Sequence, residues 1–412
     1  MAYRTLKSIF HQKDQSTADR EEAARRGSPA ALQWSFPIGE NIMFCLVTPE
    51  IAAQIEQIML RENQARGLWS QLPGGVRHHY LRSMIIEEIH ATNEIESIHS
   101  TRQEIAEVLD AVDGLGPSQR RRFREMARLY LALADGKPDI PEDLDDLRTI
   151  YDEVTAGEIT SEDTPDGERF RMGPVRIFDG QKVVHQGAPT EELIDRGLQE
   201  MLRQSRDETI PFLIRAVAAH FIFENVHPFY DGNGRTGRYL LALDLTRCLS
   251  PVAWLSLSAS VADNKERYYK AFQNAEHPLN KGDVTVFVAE LLSIIAEALG
   301  RLRSDLQLRK TQLARMFDRI NELKSSEKSP LVDAPGGTLS ILSIIGQASL
   351  FGERGEVDLE TIAKSADKGK QYARQRTIVL VDSGLVEETS GKPLRFRLTG
   401  RGRSVLGLET KP

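Results

Sequence analysis

The chain has 412 residues, about three times a common domain of roughly 100–150, so two or three domains are expected. Apolar residues make up 40% and charged residues 27%, which excludes disorder over most of the length. A net charge of -7 excludes a chain that wraps nucleic acid from end to end, although a local basic patch can hide inside that sum.

Cys45 and Cys248 lie far apart, which excludes a disulfide framework or a thiolate metal site and fits a reducing compartment. The first residues, MAYRTLKSIFHQKDQ, lack the apolar region of a secretory signal. The longest apolar stretch, Val284 to Leu299, carries Glu290 and Glu297 and falls short of the ~20 residues that span a bilayer. A cytoplasmic protein without a membrane span is expected.

In chain order, residues 1–30 are polar and charged and read as a mobile or loosely docked arm, taken as 1–47. From Thr48-Pro49-Glu50 a helix starts, with Ile51, Ile55, Ile58 and Met59 at three- and four-residue steps. A second helix is expected over 82–97, with Met84, Ile85, Ile86 and Ile89 on its apolar side. Residues 103–134 read as two helices broken at Gly114-Leu115-Gly116-Pro117. Gly157 to Glu168, with five acidic side chains, reads as a loop. A hairpin follows: Val175-Arg176-Ile177-Phe178 and Lys182 to His185 flank Asp179-Gly180, a strong turn signal between β-prone runs.

After Pro189 helices resume to about Leu323. The last carries Leu302, Leu306, Leu313, Met316, Ile320 and Leu323 in a heptad interrupted by Arg309, a seam that fits packing within the chain or a homodimer. Ser325 to Gly337 reads as a linker. The expected division is an arm at 1–47, a helical region at 48–147, a core at 148–300, a long helix and linker at 301–336, and a compact tail at 337–412. There is no internal repeat.

The chemistry concentrates in His227-Pro228-Phe229-Tyr230-Asp231-Gly232-Asn233-Gly234-Arg235-Thr236-Gly237-Arg238. Leu213, Ile214, Val217, Phe221 and Ile222 make the preceding segment a helix that Pro228 ends. Leu241 and Leu245 continue helically after it, so the motif is a loop between helices. Gly232, Gly234 and Gly237 form G-x-G-x-x-G, but a dinucleotide fold needs a strand before the glycines and an acidic residue after a second strand, and neither is here. A Walker A loop is absent outright.

The physics still points to phosphate. Glycines at a helix start let backbone N–H groups converge on an anion that the helix dipole also favours. Arg235 and Arg238, three apart, can grip further oxygens. Asp231 offers a hard oxygen to Mg²⁺ beside substrate phosphates. His227 stands one loop away as the side chain best poised to take a hydroxyl proton.

The segment resembles the Fic family, whose signature H-x-F-x-[DE]-G-N-G-R-x-x-R matches 227–238 throughout. The resemblance implies a mainly α fold: a helical Fic core with a β-hairpin flap, joined here to a C-terminal α+β module. It implies transfer of AMP from ATP to a Tyr, Thr or Ser hydroxyl of a protein, with His227 as base and Asp231 as Mg²⁺ ligand. Asn233 with the backbone of Gly232 and Gly234 would hold the α-phosphate, and Arg235 and Arg238 the outer phosphates, with Thr236 and Gly237 in the same segment. Tyr268-Tyr269 looks like the adenine-side aromatic pair. Phe170-Arg171 leads into the hairpin, whose Val175, Arg176, Ile177 and Phe178 are similar to the flap on which a target segment docks by β-augmentation.

Thr92-Asn93-Glu94-Ile95-Glu96-Ser97 resembles the inhibitory Fic motif [ST]-x-x-x-E-[GN], with Ser97 in place of Gly or Asn. On that pattern Glu96 pairs with Arg238 and denies it to the γ-phosphate. The same site could instead remove AMP or transfer another nucleotide. His220, Glu224 and His227 share a helix face, yet they lack the H-E-x-x-H pattern, so zinc is set aside in favour of helix-orienting roles.

The tail reads as three helices and a hairpin and resembles a winged helix. From Gly337 to Pro412 there are 12 Lys or Arg against 9 Asp or Glu, a net of +3 that leaves about -10 for the rest. Lys368, Lys370, Arg374 and Arg376 cluster near the candidate recognition helix, which fits either DNA or a protein partner. A DNA-binding regulator with a nucleotide-sensing Fic core is the reading from another functional class.

Overall fold

The computed structural model describes residues 3–112, 122–179, 182–327, 329–391 and 393–408. The chain divides into two compact units, residues 1–63 with 87–300 and residues 64–86 with 301–412. The fold is mainly helical.

The first residues, expected as a mobile or loosely docked arm, form two docked helices. Helices α1 (Leu6–Gln12) and α2 (Gln15–Arg26) start at Thr5 and Asp14, whose side chains accept from Ser8 N at 3.1 Å and Thr17 N at 2.7 Å. Arg25 reaches Asp283 at 3.0 Å, Tyr3 donates to the same carboxylate at 2.7 Å, and Leu6 is fully buried. The Arg25 charge is paired with a residue 258 positions away.

A hairpin that the sequence reading missed follows, β1 (Ala31–Ile38) and β2 (Asn41–Leu46), paired antiparallel. Trp34, Phe36 and Ile38 alternate inward, and Pro37 is tolerated because the register shifts between Gln33 and Pro37.

Helix α3 (Pro49–Ser70) precedes α4 (Gly74–Ile95), which begins eight residues before the expected start at Arg82. Then come α5 (Arg102–Val112), α6 (Arg124–Ala134) and α7 (Leu144–Val154), the last opened by an Asp143–Asp146 capping box. The break at 114–117 lies outside the described residues. After an irregular stretch, β3 (Arg176–Asp179) pairs with β4 (Lys182–Gln186) in a two-stranded sheet with Ile177 opposite His185. Val175 precedes the strand, and Gly180 of the turn lies outside the described residues.

The middle of the chain holds α8 (Glu191–Gln204), α9 (Phe212–Val226), α10 (Asn233–Leu245), α11 (Pro251–Trp254), α12 (Leu257–Asp263) and α13 (Lys265–Glu276). In α9 twelve of fifteen residues are buried, so it is enclosed on nearly every side. Helix α14 runs from Thr285 to Ser325. Of its heptad residues, Leu302, Leu306, Leu313, Met316 and Leu323 are buried and Ile320 is half-buried.

The tail comprises α15 (Thr338–Phe351), β5 (Glu356–Asp358), α16 (Leu359–Ser365), α17 (Lys370–Asp382), β6 (Val386–Gly391), β7 (Leu394–Leu398) and α18 (Gly400–Val405). Its three strands lie in the order β5-β7-β6, all antiparallel. Among the described residues no helix is long and apolar enough to cross a membrane.

Candidate active site

Helix α9 stops because Pro228 bars its predecessor from the right-handed helical region. His227 takes a left-handed backbone instead, φ 52 and ψ 64, which turns its ring out of the helix. Buried Arg171 secures that end, donating through Nε to His227 O at 2.8 Å and through Nη2 to Val226 O at 3.3 Å. Such cationic donors satisfy the carbonyls that a helix C-terminus leaves open.

The loop that follows is clasped by Asn233. Its Oδ1 accepts from Phe229 N at 2.9 Å and its Nδ2 donates to Phe229 O at 2.8 Å, while the Phe229 ring stacks on Tyr151. Gly232 opens α10 at φ 82, and a Cβ there would meet Thr155 Cγ2 at 2.6 Å. The first N–H groups of α10 have no acceptor within the helix and face incoming negative charge. That charge is present: a Cβ on Gly234 would collide with the Glu96 carboxylate, so glycine here lets an anion rest on the helix start.

Glu96 is delivered by the end of α4. Ser97 N donates to Glu94 O at 3.0 Å and Ile98 N to Asn93 O at 2.9 Å, with Ser97 at φ 59. This pair of bonds around a left-handed residue is the Schellman ending, and it fixes Glu96 at the C-cap, just after the last helical residue Ile95. Arg238 meets the same segment three times: Nη1 to Glu96 Oε1 at 2.8 Å, Nε to Thr92 Oγ1 at 2.8 Å and Nη2 to Thr92 O at 3.0 Å. The whole guanidinium edge is therefore occupied, and Arg238 is buried.

Beside this pair opens a cavity of about 380 Å³. Glu96, Gly234, Arg238 and His227 line one part of it, and Tyr268, Tyr269 and Phe272 another. Tyr268 is held by its hydroxyl, which donates to His220 Nε2 at 2.7 Å, and His220 Nδ1 in turn donates to Gly237 O at 3.0 Å. Both His220 nitrogens are thus engaged, which makes it an orienting residue. Burial first, with the neighbouring His185 and the Arg171 guanidinium adding to it, lowers the His227 pKa to about 3, so the ring is neutral at physiological pH. Burial, with Glu96 and Glu276 adding to it, raises Glu224 to about 8 against the pull of Arg238. Burial opposes the charge on Arg238, yet Glu96 and its neighbours hold its pKa above the ordinary arginine value.

The Fic/DOC family profile matches residues 141–245. A Fido domain-containing protein of Dictyostelium discoideum is 31% identical over 121 residues, 28% of this chain and 78% of that protein. The chain belongs to the Fic/DOC family. Protein adenylyltransferase fic-1 of Caenorhabditis elegans is 34% identical over 117 residues, which are 27% of this chain but 21% of that relative's own length. In fold, a solved Fic family protein from Desulfovibrio desulfuricans covers 86% of this chain and 97% of its own at a TM-score of 0.50 and 21% identity.

Within this Fic chain the predicted site residues separate. The structure brings His227, Gly234, Arg238, Tyr268, Tyr269 and Glu96 to one cavity, with Ile177 of the hairpin at its edge. Gly232 and Asn233 form the helix start, but the Asn233 amide is spent on the loop rather than free for a phosphate. Arg235 is buried, pairs with Glu158 of the acidic loop through Nη1, and does not line the cavity. Thr236 donates to Gly232 O at 2.9 Å, and Gly237 packs where a side chain would strike Glu224. Asp231 is exposed on the loop outside the cavity lining.

Sequence reasoning gave no role to His185 and Glu276. His185 Nδ1 contacts Glu276 at 2.9 Å, Asn225 Nδ2 donates to the same carboxylate at 2.8 Å, and the His185 ring stands 5.3 Å from that of His227. No local signal joins residues 91 apart in sequence.

Proposed function

We propose that this Fic chain transfers AMP from ATP to a Tyr, Thr or Ser hydroxyl of a protein, its own chain included, and that Glu96 restrains the transfer. The observation that carries the reading is the cavity that unites a neutral His227, the open start of α10, Arg238 and two tyrosines, with Glu96 lying across the arginine.

Burial keeps His227 unprotonated, so it can accept the target hydroxyl's proton. The hydroxyl oxygen then bonds to the α-phosphorus while the bond to the bridging oxygen breaks, and pyrophosphate leaves with that electron pair. The backbone N–H groups at Gly234 and the Arg238 guanidinium are the groups suited to the phosphate oxygens. Tyr268 and Tyr269 line the same cavity, and aromatic rings there suit the base. Asp231 provides one free carboxylate before the helix start, a donor set that fits Mg²⁺ taking its other ligands from phosphates and water. The metal, when bound, supplies charge neutralisation at the transferred group.

Glu96 opposes each of these roles by position. Its carboxylate lies on Gly234 and occupies Arg238, so an incoming phosphate meets like charge and a spent arginine. Among the described residues β3 pairs with β4 alone, which leaves a strand edge beside the cavity for a target segment to join.

Intact mass after incubation with Mg-ATP tests the reading in wild type, Glu96→Gly and Glu96→Gly/His227→Ala. A gain of one AMP per site in Glu96→Gly, lost with His227, is expected. No gain in any variant while ATP still binds overturns the transfer and favours another nucleotide donor or AMP removal.

A further inference from the structure

The tail holds a second surface that AMP transfer does not use. Helices α16 and α17 are joined by a short turn at 366–369, with Asp367 in a left-handed conformation at φ 51. Asp358 caps α16 by accepting from Thr361 N at 2.8 Å, and α15 packs behind with Ile341, Leu342 and Ile345 fully buried. With β5-β7-β6 alongside, the arrangement is a helix-turn-helix followed by a two-stranded ribbon.

Helix α17 is two-sided. Ala373, Thr377 and Leu380 face inward, whereas Gln371, Arg374, Gln375 and Ile378 are exposed at spacings of three and four that form one stripe. Ile378 remains 45% exposed. Arg376 leaves the expected cluster, because its Nε donates to Gly336 O at 2.9 Å and its guanidinium covers the Tyr372 ring. What stays on the outer side is one guanidinium, two amides and one apolar group, with exposed Lys364, Lys368 and Lys370 around the turn. Glu360 draws on two of these lysines, at 3.3 Å for Lys364 and 3.1 Å for Lys370, and does not reach Lys368.

We propose that the α17 stripe of Gln371, Arg374, Gln375 and Ile378 enters the major groove of duplex DNA, with Lys364, Lys368 and Lys370 on the phosphates. The chemistry fits duplex DNA in both parts. Guanidinium and amide forks match the paired acceptors and donors of guanine and adenine edges, an apolar tip matches the thymine methyl, and lysines at the turn match the flanking backbone. Charge complementarity points the same way, since the tail carries a net +3 in a chain of -7.

Fluorescence polarisation of a labelled random-sequence duplex of about 24 base pairs, with the full chain, tests this. Three phosphate contacts give a salt slope of about -2.7, so affinity should fall about 40-fold between 50 and 200 mM salt. Lys368→Glu should lower that slope by about 1. Selection from a randomised duplex library should yield a preferred site, and Arg374→Ala should lose about 5- to 150-fold of preference at one guanine. Gln371→Glu, another exposed change on the same stripe, should weaken binding at an unchanged melting temperature. Binding absent at 50 mM salt, binding equally tight to single strands, or binding indifferent to Lys368→Glu and Gln371→Glu in folded protein overturns the proposal and leaves the stripe to a protein partner.

Discussion

Two helices end at the cavity in left-handed residues that are not glycine, and they deliver opposite groups. Helix α4 closes after Ile95 through Ser97 at φ 59 and presents the carboxylate of Glu96; α9 closes after Val226 through His227 at φ 52 and presents an imidazole. At α4 the unusual backbone belongs to the neighbour of the functional side chain, whereas at α9 it belongs to the functional side chain itself. The first end can therefore be relieved without losing chemistry, and the second cannot. Both ends are held by long-range partners, Arg238 for the first and Arg171 for the second.

The largest expected effect breaks the α9 end. His227→Asn keeps a residue that tolerates the left-handed region and a similar size, but it lacks the base. In a Glu96→Gly background, transfer should drop about 10²- to 10⁴-fold at a melting temperature close to that of the parent. Retained transfer, measured by intact mass over time, would remove His227 from the proton-accepting role.

Breaking the α4 end should act in the other direction. Glu96→Gly frees Arg238 and the start of α10, and auto-modification should rise about 5- to 150-fold, the range of a coupling of 1–3 kcal/mol. Thr92→Val sharpens this by removing the Oγ1 acceptor at 2.8 Å while leaving Glu96 in place. A smaller rise than for Glu96→Gly is expected, and an equal one would move the restraint from the carboxylate to Thr92.

Between the two ends lies Glu224, half-buried at the cavity with a pKa raised to about 8. The sign follows from proton counting. Between the ordinary 4.5 and 8 the folded protein holds this proton more firmly than the unfolded chain, so stability falls as pH rises through that window. Glu224→Gln cannot lose a proton there, so the variant should gain on wild type from pH 5 to pH 8, by on the order of 1 kcal/mol per unit at most. Denaturant midpoints at several pH values check this, and parallel curves for the two proteins would refute it.

How much of this was legible depends on distance along the chain. The loop from His227 to Arg238 could be read directly, because Pro228, the glycines and the flanking apolar periods act within a few residues of one another. The contact of Glu96 with Arg238 came from a family pattern, not from local physics. The pairing of Arg235 with Glu158 gave no local sign, because the two lie 77 residues apart. His185 and Glu276 gave no sign for the same reason. The β1–β2 hairpin is a different failure: Trp34, Phe36 and Ile38 do alternate, but Pro37 argues against a strand, and only the register shift explains how it is accommodated.

The smallest effect tests the comparison itself. Where the inhibitory pattern has Gly or Asn, this chain has Ser97, and the backbone there is left-handed at φ 59. The pattern thus has a physical reason: the Schellman ending that aims Glu96 needs a residue without a steric penalty at that φ. Ser97→Gly removes the penalty at the cost of a more flexible unfolded chain, so a net gain below about 1 kcal/mol in stability is expected. Because Glu96 keeps its place on Arg238, auto-modification should stay at the wild-type level or fall slightly. A rise would mean that the serine, and not only the carboxylate beside it, holds the α4 end in its restraining position.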